Sequence, residues 1–115
     1  MHELGIASAV LGAIRSEAAL HPGARVVKIG LRVGALSGVN ADALSFCLEA
    51  LTKDTELAAA SLAIEEPPRR HRCEACDTTF EVDAYDFDCP RCGTFQPTCV
   101  GGTELEIAWL ELEEA

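Results

Sequence analysis

Apolar side chains at Leu4, Ala7, Val10, Leu11, Ile14 and Ala18 recur at helical spacing, so the pattern predicts a helix that begins almost at the first residue. His21-Pro22-Gly23 ends it as a turn. Val27, Ile29, Leu31 and Val33 then alternate with Lys28, Gly30 and Arg32, the period of a strand with one buried face. A turn over Gly34-Ala35-Leu36-Ser37-Gly38 leads to Asn40, a good N-cap, and to a second helix with Leu44, Cys47, Leu48 and Leu51 on one side. A short strand follows over residues 61–66, with Leu62 and Ile64 inward, and stops at Pro67-Pro68. Beyond Gly101-Gly102, Leu105, Ile107 and Trp109 alternate with Glu104, Glu106 and Ala108 as a third strand. Leu110 and Leu112 fall on the opposite parity, which predicts a bulge or twist near Trp109.

Between the second and third strands the composition changes. Residues from Arg69 to about Gly102 hold five of the six cysteines, several turn formers and few aliphatic side chains, too little to build much core. The last strand needs a sheet to join, and the economical arrangement returns it to the first two. The expected class is therefore α+β: two helices packed on a small three-stranded sheet, formed by residues 1–67 and 103–115, with an inserted cysteine-rich domain at 68–102.

Composition adds that the core is small and aliphatic, since 49% of the 115 residues are apolar but only 5% aromatic. The net charge of -10 opposes general nucleic-acid binding and favours cationic partners, metal ions among them. No stretch approaches the roughly 18 apolar residues of a membrane span. The opening residues also lack the order of a signal peptide, because Glu3 stands where positive charge belongs and Arg15 and Glu17 interrupt the apolar part. A cytosolic location with no membrane partner is expected, and there cysteines read as metal ligands or buried thiols rather than disulfides.

Cys73-Glu74-Ala75-Cys76 and Cys89-Pro90-Arg91-Cys92-Gly93 form two C-x2-C pairs separated by 12 residues. This spacing lets each pair of sulfurs face one ion around a tight turn, and Gly93 lets the backbone curl behind its pair. Four thiolates with no open position favour a closed, tetrahedral, structural Zn2+ site in a zinc ribbon, with a short hairpin drawn from residues 78–82. Two readings compete with it at this point: a rubredoxin-like iron centre that carries electrons, and a zinc-ribbon adaptor that uses Arg69-Arg70-His71-Arg72 to hold nucleic acid. Cys47 reads as a buried small hydrophobe and His71 as a solvated loop residue, while Cys99 is given no role.

The chain start poses a second metal question. If Met1 is retained, its amine, the His2 backbone nitrogen and a His2 ring nitrogen can close fused five- and six-membered chelate rings around one ion. Planar nitrogen coordination of this kind selects Ni2+ or Cu2+. Glu3 can add an oxygen or orient the imidazole. No serine or cysteine neighbours a histidine as a nucleophile would, and no GxxxxGK[ST] loop is present, so neither catalysis nor nucleotide hydrolysis is expected of this chain.

Taken together, the initial Met-His-Glu, the stretch VKIGLRVGALSGV from Val27 to Val39, SFCLEAL in the second helix, the IEE before the prolines, the paired cysteines and GGTELEI resemble the HypA/HybF family of hydrogenase-maturation nickel metallochaperones nearly end to end. The resemblance implies a nickel-binding domain that holds Ni2+ as cargo through His2, assisted by Met1 and Glu3. It also implies structural Zn2+ on Cys73, Cys76, Cys89 and Cys92. It further implies a partner GTPase, HypB, and delivery to the [NiFe]-hydrogenase large-subunit precursor, with urease accessory proteins as further partners in some members. A monomer or weak homodimer is expected. Some family members carry histidines beside the zinc cysteines, whereas here Glu74, Asp77, Arg91 and Thr94 stand at such positions. The two connections near Pro67-Pro68 and Gly101-Gly102 are expected to act as hinges when a partner docks.

Overall fold

The computed structural model describes residues 2–82, 87–95 and 97–114. The chain runs α1 (His2–Ala18), β1 (Ala24–Val33), α2 (Ala41–Thr52), β2 (Ser61–Glu65), β3 (Arg70–Arg72), β4 (Thr79–Glu81), β5 (Thr98–Gly101) and β6 (Leu105–Glu114). The class is α+β, as expected from the alternation of patterns.

In α1 the apolar stripe buries Ala7, Leu11 and Ile14, with acidic Glu3 in the first turn and Arg15 in the last, each placed to complement the helix dipole. Leu4, expected on the same face, is largely exposed because it precedes the first buried turn. α2 starts where Asn40 accepts a hydrogen bond from the Ala43 N–H at 2.9 Å, and it buries Leu44, Cys47 and Leu48. Both helices meet Val26, Ile29, Leu31 and Val33 of β1 in one aliphatic core.

β1 is central in a sheet of order β2-β1-β6. It runs parallel to β2, with Lys28 to Arg32 opposite Ser61 to Glu65. Such a pairing requires a long crossover, which α2 and its flanking loops supply. β6 pairs antiparallel with β1 along its length, with register shifts between Val26 and Lys28 and between Gly30 and Leu31. At the second shift Gly30 faces Trp109 and Leu31 faces Ile107, so Ala108 is the extra residue. This bulge is the parity break expected near Trp109. It lets Leu105 and Ile107 on one side and Leu110 and Leu112 on the other all share a face with β1's buried residues, since one residue of slip reverses every side chain beyond it.

The opposite face of the sheet is polar. Arg32 bridges Glu65 at 2.9 Å and Glu106 at 3.0 Å across all three strands, and Arg25 meets Glu113 at 3.1 Å. The Trp109 ring lies directly over Gly30, where an added Cβ would fall 2.1 Å from the indole. Exposed pairs of this kind each contribute at most about 1 kcal/mol, so their main effect is to reinforce a register that core burial already selects.

β3, β4 and β5 make a second sheet of order β4-β3-β5, antiparallel throughout. β4 lies within the hairpin segment expected at 78–82, but its partner β3 precedes the first cysteine pair. β5 was not expected. His71 departs from the loop assignment: it sits on β3 with 3% exposure, its ring between Phe80 at 6.1 Å and Phe87 at 5.9 Å. A three-residue strand among charged neighbours carries too little periodicity to reveal that burial.

Both connections to this second sheet are bonded to the loop after β1. Gly34 N donates to Glu104 O at 2.7 Å, Ala35 N to Pro67 O at 2.9 Å, and Leu36 N to Gly102 O at 2.6 Å. The segments expected as hinges are thus held against residues 34–36.

Candidate metal centres

Among the described residues, one group of His, Cys, Asp or Glu side chains converges closely enough to hold a metal: Cys73, Cys76, Cys89 and Cys92, whose sulfurs all lie within 4.8 Å of one another. Cys73 and Cys92 sulfurs are 3.5 Å apart and those of Cys76 and Cys89 3.6 Å. A tetrahedron with metal–sulfur bonds of ~2.3 Å has an edge of ~3.8 Å, so the sulfurs are spaced for one ion. Disulfides need about 2.05 Å, and all of these cysteines are free.

Two copies of one local turn build the group. Cys73 N donates to Thr78 O and Asp77 N to Cys73 O; Cys89 N donates to Thr94 O and Gly93 N to Cys89 O. Asp77 and Gly93 occupy equivalent places, both with positive φ, at 63° and 77°. The hydroxyls then repeat as well: Thr78 Oγ1 lies 3.2 Å from Cys76 Sγ and Thr94 Oγ1 3.0 Å from Cys92 Sγ. Neither threonine was assigned a role from the sequence, although the shared spacing Cys-x-x-Cys-x-Thr was present to find them.

These donors shape the thiols. The Cys76 backbone N–H, with Thr94, Cys92 and Ala75, draws Cys73 down to about 6. The Thr78 hydroxyl and backbone draw Cys76 down, whereas burial pushes Cys89 up. Ready deprotonation of part of the set favours a cation that takes four thiolates.

Arg69, His71 and Arg72 of the basic run beside the first pair are engaged within the chain. Arg72 is ion-paired with Glu74 and Asp77, while the Arg69 guanidinium lies 4.2 Å from the Phe87 ring centroid and donates to His71 Nε2 at 2.8 Å. His71 Nδ1 finds no hydrogen-bond partner among the described residues. Burial, and secondarily Arg69, hold the His71 imidazole below its ordinary range, so it stays neutral. Cys47 is buried on α2 as expected, and Cys99 is exposed on β5.

At the other end of the chain, His2 opens α1 with its side chain 61% exposed. Its Nε2 lies 3.1 Å from Gly38 O and 2.9 Å from Glu3 Oε2. Both neighbours are acceptors, so Nε2 carries the ring hydrogen, and in the neutral imidazole Nδ1 keeps its lone pair. Glu3 is more enclosed, at 16% side-chain exposure, and receives the Asn40 N–H at 3.4 Å. The backbone nitrogens of a helix's first turn have no partner within the helix. Met1, expected as a ligand, lies outside the described residues. His2 and Glu3 are thus brought together at the Gly38–Asn40 loop.

Comparison with known proteins gives consistent results. A family model described as hydrogenase/urease nickel incorporation, metallochaperone, hypA matches residues 1–112. The chain is 42% identical over 113 residues to the hydrogenase maturation factor HypA of Geobacter metallireducens, covering 98% of this chain and 100% of the relative. It is 45% identical over 116 residues to that of Roseiflexus sp., covering 99% and 94%. A solution structure of the Ni metallochaperone HypA from Helicobacter pylori is similar with a TM-score of 0.64 at 16% identity, over 98% of each chain. A second solution structure of a HypA protein gives 0.74 at 19% identity, over 100% of this chain and 98% of the other. At those identities the structural likeness speaks for the fold.

Proposed function

The chain belongs to the HypA family of hydrogenase-maturation nickel metallochaperones, and from that premise we propose that it takes up Ni2+ at its first residues and hands it on. As a maturation factor it is not an enzyme. The Met1 amine, the His2 amide nitrogen and His2 Nδ1 are the nitrogen donors, with Glu3 orienting the ring. The observation that carries this reading is the engagement of His2 Nε2 by two acceptors, since only Nδ1 closes a six-membered ring with the residue's own amide nitrogen. Planar nitrogen donation suits nickel, and exposure of the ring suits an ion that must leave again.

Cys73, Cys76, Cys89 and Cys92 hold Zn2+, which fixes the shape of residues 68–102 as a ribbon domain. Residues 1–67 and 103–115 form the nickel-binding domain. Four soft donors in tetrahedral spacing and a nitrogen pincer sort two metals by donor chemistry, so structural ion and cargo do not compete. The chain contains no phosphate-binding GxxxxGK[ST] loop, so nucleotide-driven release falls to a partner GTPase, HypB. The recipient is the [NiFe]-hydrogenase large-subunit precursor, in the cytosol; the relatives' name, hydrogenase maturation factor, supports a hydrogenase as the destination. Urease is the second recipient, a reading favoured by the family description alone.

Nickel titration into protein with its native first residue and into protein carrying extra residues before Met1 tests the reading. One planar, yellow Ni2+ site is expected in the first and none in the second. Equal uptake and identical spectra in both would remove the pincer.

A further inference from the structure

The His2 ring is held by a carbonyl that an unusual backbone conformation presents. Ser37 N donates to Gly34 O at 3.0 Å and Val39 N to Ser37 Oγ at 3.2 Å, so the chain turns twice between Gly34 and Val39. Gly38 at φ +77° completes the second turn and faces its carbonyl oxygen to His2 Nε2 at 3.1 Å. Glu3 also reaches Nε2, but Glu3 rides on the same helical turn as His2 and is tied to the loop only through the longer 3.4 Å contact with Asn40 N. The contact that fixes the ring against the body of the protein is therefore Gly38 O.

We propose that Gly38 is a positioning residue for nickel: its carbonyl anchors Nε2 of His2, which orients the imidazole and leaves Nδ1 as the ring donor. This role rests on the nickel reading above, although the contact itself does not. Partners that orient a metal-binding imidazole through its other nitrogen are worth 10- to 100-fold in metal affinity. The glycine matters here through its conformation. A Cβ at this position meets nothing within 4 Å, so a substituent acts by moving φ out of the left-handed region and not by collision. Valine is strongly disfavoured there, whereas asparagine tolerates it.

The test uses the full chain with its native first residue and Ni2+ alone, measured by competition with a chromophoric chelator. Gly38→Val is expected to weaken Ni2+ binding about tenfold, and Gly38→Asn to bind close to wild type. In the metal-free protein, a nuclear Overhauser contact between the His2 ring Hε1 and the Gly38–Val39 backbone is expected in wild type and Gly38→Asn and absent in Gly38→Val. If Gly38→Val does not fold, Gly38→Ala takes its place with the same direction of effect. Absence of the ring contact in wild type overturns the anchor whatever nickel does. Wild-type affinity in Gly38→Val, or equal losses in the Val and Asn variants, overturns the positioning role. Undiminished nickel binding in His2→Ala would instead sink the nickel reading, and this role with it.

Discussion

Replacing Gly34 by alanine probes the closest backbone approach between the loop after β1 and the returning chain. A Cβ there would lie 2.2 Å from Gly102 O, 2.4 Å from Gly102 C and 2.8 Å from Glu104 N. All three are backbone atoms, so no side-chain rotation relieves the contact, and the two segments must part by roughly 1 Å to regain ordinary separation. Parting them stretches the bonds from Gly34 N to Glu104 O at 2.7 Å and from Leu36 N to Gly102 O at 2.6 Å. Each is worth about 1 kcal/mol net, and overpacking of this kind adds about 1–3 kcal/mol. Alanine returns about 0.5–1 kcal/mol by restricting the unfolded chain. The expected loss is therefore about 3 kcal/mol, read from urea unfolding of the metal-loaded protein. Gly12→Ala is the matched control: it lies inside α1 with nothing within 4 Å of the added carbon, so a gain of about 0.5–1 kcal/mol is expected. A Gly34→Ala midpoint at or above wild type would refute the close approach.

Deleting Ala108 removes the extra residue and leaves Leu105, Ile107, Leu110 and Leu112 in strict alternation on one face with their β1 partners unchanged, so a stability change of no more than about 1 kcal/mol is expected in denaturant unfolding, and a much larger loss would refute the bulge assignment. Thr78→Val removes the hydroxyl beside Cys76 Sγ, and about tenfold weaker retention of the four-cysteine metal is expected in chelator competition. Glu104 accepts from Gly102 N at 2.6 Å, and its carboxyl is held below the ordinary range chiefly by its own backbone N–H, then by Gly102 and the nearby Arg70 and Arg32. A depressed folded value means the stabilisation is present above the unfolded value, about 4.3, and is lost as the pH falls through the folded one. The stability gap between wild type and Glu104→Gln should therefore be full at neutral pH and close in acid.

The helices and the large sheet were legible because their residues obey the periods that one-sided burial imposes. The bulge at Ala108 also appears in the sequence, as the change of parity between Ile107 and Leu110, although Trp109, grouped with Leu105 and Ile107 by alternation, lies on the opposite face over Gly30. Cysteine spacing likewise announced the sulfur cluster. The short strands of the second sheet were not legible: β3 and β4 have three residues each and β5 four, and they pair around knuckles that a metal organises rather than around an apolar core. His71 was misplaced for that reason, since its burial comes from Phe80 and Phe87 across the ribbon and not from its own neighbours. Contacts such as His2 with Gly38 join residues 36 apart through backbone atoms, and no side-chain pattern records a carbonyl's direction.

Metal analysis of purified His2→Ala and Cys73→Ala proteins after exposure to both ions tests the separation of cargo from structural metal most directly. His2→Ala should lose the nickel equivalent and keep one zinc, with the spectrum of a folded ribbon. Cys73→Ala should lose the zinc and the order of β3, β4 and β5 while the helices and the large sheet remain. Nickel retained in His2→Ala, or found on the cysteines of the wild-type protein in place of zinc, would contradict the assignment of the two metals to two separate sites.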